Sequence, residues 1–173
     1  MQIENGVPAA GWPERLDDLT RAERLLVGGL RRWLAGLRQN DGAHWRVVSV
    51  EFAAAFGAAA GTAPLALFGR AVQFLYLDRL RPIRCNPPCG AGLTEHEGCF
   101  ALLVAACQHG DARLGRAAAG WLVAEEAVGD LLATAASLAA AMRRSGLLLP
   151  RRWRAAASAS PRPPASPTGA TLH

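Results

Sequence analysis

Apolar side chains recur three and four residues apart over most of the chain, the spacing of helices that bury one face. Leu26, Leu30, Trp33, Leu34 and Leu37 form the first such face. Arg24, Arg31 and Arg38 stand opposite it at intervals of seven, so with Arg21 they read as a solvated stripe. Thr20-Arg21-Ala22-Glu23 in front is a capping box, with Leu19 placed as a hydrophobic staple, and Asn40-Asp41-Gly42 ends the helix. Trp45, Val48, Phe52 and Phe56 predict a second helix from about His44 to Ala60, although Val47, Val48 and Val50 also suit a short strand. After the turn Gly61-Thr62-Ala63-Pro64, a third helix carries Leu67, Phe68, Val72, Leu75 and Tyr76 and stops before Pro82.

Residues 81–93 are rich in Pro, Gly and Cys and read as a loop. Thr94-Glu95-His96-Glu97 then makes a second capping box, again behind a leucine, Leu93, and opens a fourth helix that runs to His109. Gly110 is a stop and Asp111 a cap for a fifth helix through Leu114, Trp121 and Leu122. Gly129-Asp130 repeats that punctuation and predicts a sixth helix using Leu131, Leu138 and Met142, closed by Ser145-Gly146. The expected fold is all-α: a small bundle of about six antiparallel helices over residues 19–150, with an irregular lead-in over 1–18. Residues 151–173 begin basic and turn to Ala, Ser, Pro and Thr, a composition that predicts a disordered tail. The two leucine-plus-capping-box motifs lie 74 residues apart, and each opens an apolar helix, so two related three-helix units are one reading of the chain.

Composition changes this picture in three ways. Half of the chain is apolar but much of that is alanine, which favours helix and buries little area, so the core depends on close helix approach. All nineteen basic residues are Arg, and with the Ala, Gly and Pro excess this resembles the coding bias of a GC-rich, bacterial-type genome. The charge is uneven: residues 1–130 hold thirteen Arg and fourteen acids, whereas 131–173 hold six Arg and no acid. No secretion signal is visible at Met1, and the uncharged stretch from Phe52 to Gly69 is split by Thr62 and Pro64. A cytoplasmic protein without a transmembrane segment is expected.

Chemistry-bearing residues concentrate around the loop. Cys85, Cys89, His96 and Cys99 supply two sulfurs from a tight turn and a further pair three apart on a helix, a set suited to a tetrahedral zinc clip. The irregular spacing matches no standard ribbon or finger. The alternatives are an iron–sulfur centre, a reversible Cys85–Cys89 disulfide acting as a redox switch, and cysteines that only pack. Cys107 lies more than two helical turns beyond Cys99 and is out of reach of such a site. The chain carries no nucleophile motif, phosphate loop or paired acids, so an enzyme is not expected. Arg143, Arg144, Arg151, Arg152, Trp153 and Arg154 form a basic arm able to contact a polyanion, whether an acidic protein, an anionic surface or nucleic acid.

Gln108-His109-Gly110-Asp111, between the small residues Ala105, Ala106, Ala117 and Ala118, resembles the turn between paired helices of a tetratricopeptide-type repeat. The resemblance covers about thirty residues, lacks most of the aromatic and proline positions of that repeat, and implies stacked antiparallel helices without implying any binding residue. Together these features predict a non-catalytic helical interaction or adaptor domain with a protein partner. The alternatives are a zinc-binding or thiol-redox regulator using the Cys85–Cys99 segment, and a weak nucleic-acid binder using the C-terminal arginines.

Overall fold

The computed structural model describes residues 13–152. Among them are six α-helices: α1 Arg21–Gln39, α2 Gly42–Phe56, α3 Thr62–Leu77, α4 Glu95–His109, α5 Ala112–Leu122 and α6 Glu125–Arg144. The fold is an all-α bundle. A 3-10 turn, Leu16–Asp18, precedes α1, and the only β pairing among the described residues is two isolated bridges. No helix among them is long and apolar enough to cross a membrane.

Both capping boxes form. Thr20 Oγ1 accepts from the Glu23 amide while the Glu23 carboxylate accepts from the Thr20 amide, and Thr94 and Glu97 repeat the arrangement. Asn40 and Gly110 take the left-handed conformation that closes α1 and α4, and Asp41 and Asp111 cap the helices that follow. The valines of α2 are helical, with Val48 buried and Val47 and Val50 exposed. The helix ends at Phe56 rather than Ala60, where Gly57 breaks it with a φ of 91°.

The last two helices depart from expectation. α5 ends at Leu122, and α6 begins at Glu125 and runs through Gly129-Asp130 without a break. The interruption is made by extended Val123 and Ala124, whose strand-like contact with the end of α3 includes Ala124 N donating to Asp78 O at 2.8 Å. No side chain caps α6, and the local signal at its start is the pair of carboxylates in its first turn, Glu125 and Glu126.

α1 packs on α2 and α4, α4 on α5 and α6, and α3 more extensively on α6 than on α1 or α2. Phe68 lies at the centre of the aromatic core, its ring 5.1 Å from Phe52, 5.8 Å from Trp33 and 5.9 Å from Phe100. Close approach depends on missing side chains: a Cβ on Gly69 would lie 2.7 Å from the Trp33 ring. A smaller cluster joins Leu19, Val27 and Ala101, with Leu93 against it. Leu19 and Leu93, and Val27 and Ala101, are each 74 residues apart, the offset of the two capping boxes, and all four meet in this cluster.

The domain extends past its sequence-based limit at the N-terminal end, and its last residues pack back on the bundle. Glu14 and Leu16 hydrogen-bond across to Leu93 and Ala91. After α6, Leu147 and Leu149 are buried. Gln108 Nε2 donates to Leu147 O at 2.9 Å, and Leu149 N donates to Gln108 Oε1 at 2.7 Å. Residues 147–149 are therefore a strap laid over the end of α4.

Candidate functional site

Cys85, Cys89, His96 and Cys99 do not converge; among the described residues no three His, Cys, Asp or Glu side chains are grouped to hold a metal ion. The expected zinc clip is corrected by the way α4 divides the set. His96 and Cys99 face α5, the imidazole against Trp121 and the thiol 3.5 Å from Ala118 O. Cys85 lies beside Glu97 on another side of α4, and Cys89 is exposed. All four cysteines are free, so no disulfide joins Cys85 to Cys89. Burial pushes the Cys85 thiol up to about 12, and the nearby Glu97 charge adds to this against Arg38 and Arg31. Burial likewise raises Cys107 to about 11 and raises Cys99. These groups are thiols at neutral pH, unlike the thiolates that act as nucleophiles or ligands.

An ion pair holds the loop instead. Arg31, placed on the solvated stripe by its spacing, is 1 % exposed and meets Glu97 in a two-pronged contact, Nε to Oε1 at 2.8 Å and Nη2 to Oε2 at 2.9 Å. Its remaining donors reach Gly90 O and Gly92 O at 2.5 Å. The Glu97 carboxylate also accepts from the amides of Asn86 and Thr94, each at 2.9 Å. Four donors thus surround two carboxylate oxygens, the arrangement a buried charge requires. The residues from Asn86 to Thr94 wrap this pair at the edge of the bundle, and Thr94 Oγ1 ties the turn to Arg84 O. The other members of the stripe remain exposed, with Arg38 donating to Ile83 O and Arg21 to Ala54 O.

The second capping box has a parallel. Glu23, 1 % exposed, pairs with Arg152, Nε to Oε1 at 2.7 Å. Burial alone would raise the Glu23 carboxyl, but hydrogen bonds from Arg152 and Thr20 outweigh it and hold the group below its ordinary 4.5. A carboxyl whose pKa is lowered by folding stabilises the fold above its unfolded value and loses that contribution as pH falls through the folded value. Glu23→Gln is therefore expected to melt below the wild type at pH 7, with the gap closing as pH drops below about 4.5. A gap independent of pH would show that the carboxylate charge contributes nothing.

Arg152 is thus a strap anchor rather than the free polyanion contact expected of it, and its Nη2 also reaches toward Asp18 O at 3.5 Å. Arg143, Arg144 and Arg151 are exposed, and none is in an ion pair among the described residues. Trp153 and Arg154 lie outside the described residues. Arg143 and Arg144 border a concave surface floored by Cys107, Gln108, His109 and Gly110.

A second concave feature involves His96, at the start of α4, and Trp121, in the last turn of α5. The two rings lie 4.8 Å apart in a cleft that also includes Arg81, Pro82, Arg84 and Glu95. Burial lowers the His96 pKa from 6.5, and Arg81 and Arg84 lower it further against Glu95 and Glu97, so the imidazole is neutral at pH 7. Sequence reasoning singled out His96 for metal and used Trp121 only as a core position. Their pairing joins residues 25 apart and has no local signal. No protein-family model matches the chain, and no curated protein or solved structure matches it. The site must be read from its own geometry.

Proposed function

We propose that this chain is a non-catalytic helical interaction domain that contacts an acidic partner protein through the basic end of α6 and the arm beyond it. The observation that carries this reading is the exposure of Arg143, Arg144 and Arg151 without a carboxylate partner among the described residues, on an end fixed to the core. Leu147 and Leu149 are buried, and the Glu23–Arg152 pair holds the chain where the arm departs. Residues 131–173 contain no acid, so the charged side chains that this segment carries are of one sign. Such a segment steers an oppositely charged partner and makes its binding sensitive to salt. The protonated state of Cys85, Cys99 and Cys107 favours binding over covalent chemistry at these residues.

The test uses heparin as the polyanion probe. The full chain is expected to be retained and to elute at a defined salt concentration. The triple variant Arg143→Gln/Arg144→Gln/Arg151→Gln should elute at clearly lower salt with an unchanged melting temperature. Identical elution of the two proteins, or no retention of the full chain, would overturn the reading.

A further inference from the structure

Three buried side-chain nitrogens have no hydrogen-bond partner among the described residues, and all three are in one place: Nδ1 and Nε2 of His96 and Nε1 of Trp121. Buried polar groups are nearly always paired, and each one left alone costs about 1–3 kcal/mol. An imidazole with neither nitrogen paired, 4 % exposed and packed on an indole that also lacks a partner, is the signature of a site whose partner is a ligand. The space is present: the cleft bounded by Arg81, Pro82, Arg84, Glu95, His96 and Trp121 has a volume of about 260 Å³.

The donor inventory defines the ligand. The indole Nε1–H only donates, a neutral imidazole donates once and accepts once, and each guanidinium offers five donors. Arg81 and Arg84 form no ion pair among the described residues, and their two positive charges face the single carboxylate of Glu95. Arg81 lies over the Trp121 ring, its guanidinium carbon 4.9 Å from the centroid, and is exposed, so it covers the cleft without being locked there. A group filling the cleft must therefore accept several hydrogen bonds, carry negative charge and present one hydroxyl to the accepting imidazole nitrogen. The volume admits only a small molecule.

We propose that this cleft binds a small oxyanion carrying a hydroxyl, of the hydroxycarboxylate or the protonated phosphate type. His96 and Trp121 form the floor, and Arg81 and Arg84 clamp the charge. Planar guanidinium groups suit both oxyanions. This site is separate from the basic end of α6 and stands independently of the interaction proposed there.

The experiment is a titration of the ¹⁵N-labelled full chain, following the indole resonance assigned by its loss in Trp121→Phe. Inorganic phosphate and malate are the two arms, with glycerol as the uncharged control and sodium chloride as the ionic-strength control. Saturable movement of the Trp121 indole signal with one arm identifies which oxyanion the site takes, and movement with both supports the shared chemistry. Arg81→Gln and Arg84→Gln, both substitutions of exposed side chains, should each weaken binding about tenfold, as expected for loss of one charge-assisted contact, without changing the melting temperature. The proposal is overturned if neither anion gives a saturable shift at concentrations up to tens of millimolar. It is equally overturned if the controls give the same shift, or if the arginine variants bind as the wild type does.

Discussion

Arg31→Met is expected to destabilise the protein by about 3–5 kcal/mol, because it strands the Glu97 carboxylate as an unpaired buried charge. Glu97→Met, which strands the guanidinium, should cost a similar amount. Replacing both partners of a buried ion pair by apolar side chains is often neutral, since two desolvated charges leave together. That rescue should fail here. Arg31 is also a partner of Gly90 O and Gly92 O, and Glu97 of the Asn86 and Thr94 amides; Gly92 O keeps the Asn86 side-chain amide, but Gly90 O and the two amides lose their partners with the pair. Each such group that does not find water costs about 1–3 kcal/mol. The double variant Arg31→Met/Glu97→Met should therefore stay well below the wild type in urea unfolding. It should also lose hydrogen-exchange protection at Asn86 and Thr94 and react faster with a thiol reagent at Cys85, which the wrapped loop half-buries. A double variant as stable as the wild type would mean that the loop is held by something other than this pair.

The helices were legible because their signals are local. Each capping box needs only Thr and Glu three apart, and both form as read. The Arg24, Arg31 and Arg38 spacing correctly places three side chains on one side of α1, but spacing says nothing about what else reaches that side. Loop 81–93 crosses there and takes Arg31 into the interior while Arg24 and Arg38 stay outside. The same loop explains the misplaced metal site. Two cysteines in the turn and a His–Cys pair three apart on the helix suit a zinc clip by spacing; the clip that forms is a guanidinium and a carboxylate contributed from residues 66 apart in sequence. The break before α6 was misplaced for a related reason. Gly129-Asp130 has the composition of a stop and lies within a continuous helix, whereas Val123-Ala124 has none and is held extended by Asp78. The His96–Trp121 cleft was invisible because an unpartnered side chain is a property of three-dimensional surroundings.

Ending the chain at Ser145 should cost far more than ending it at Arg152. The shorter truncation keeps all of α6 but removes Leu147 and Leu149, which are 6 % and 2 % exposed. Burial of two leucines contributes about 3–6 kcal/mol. It also removes Leu147 O and Leu149 N, the closer partners of the buried Gln108 amide, at a further cost of about 1–3 kcal/mol. Glu23 loses Arg152 as well, though Thr20 continues to cap with it. For a chain of this size each kcal/mol moves the melting temperature by about 2–4 °C, so a fall of about 10–35 °C is expected. The chain ending at Arg152 retains every one of these contacts and should melt with the full-length protein. Leu149→Ala in the full chain separates packing from chain length and should by itself cost about 2–5 kcal/mol. Equal melting temperatures for the two truncations would show that residues 146–152 rest on the bundle without stabilising it. The arm would then lack the fixed point of departure on which its proposed contact depends.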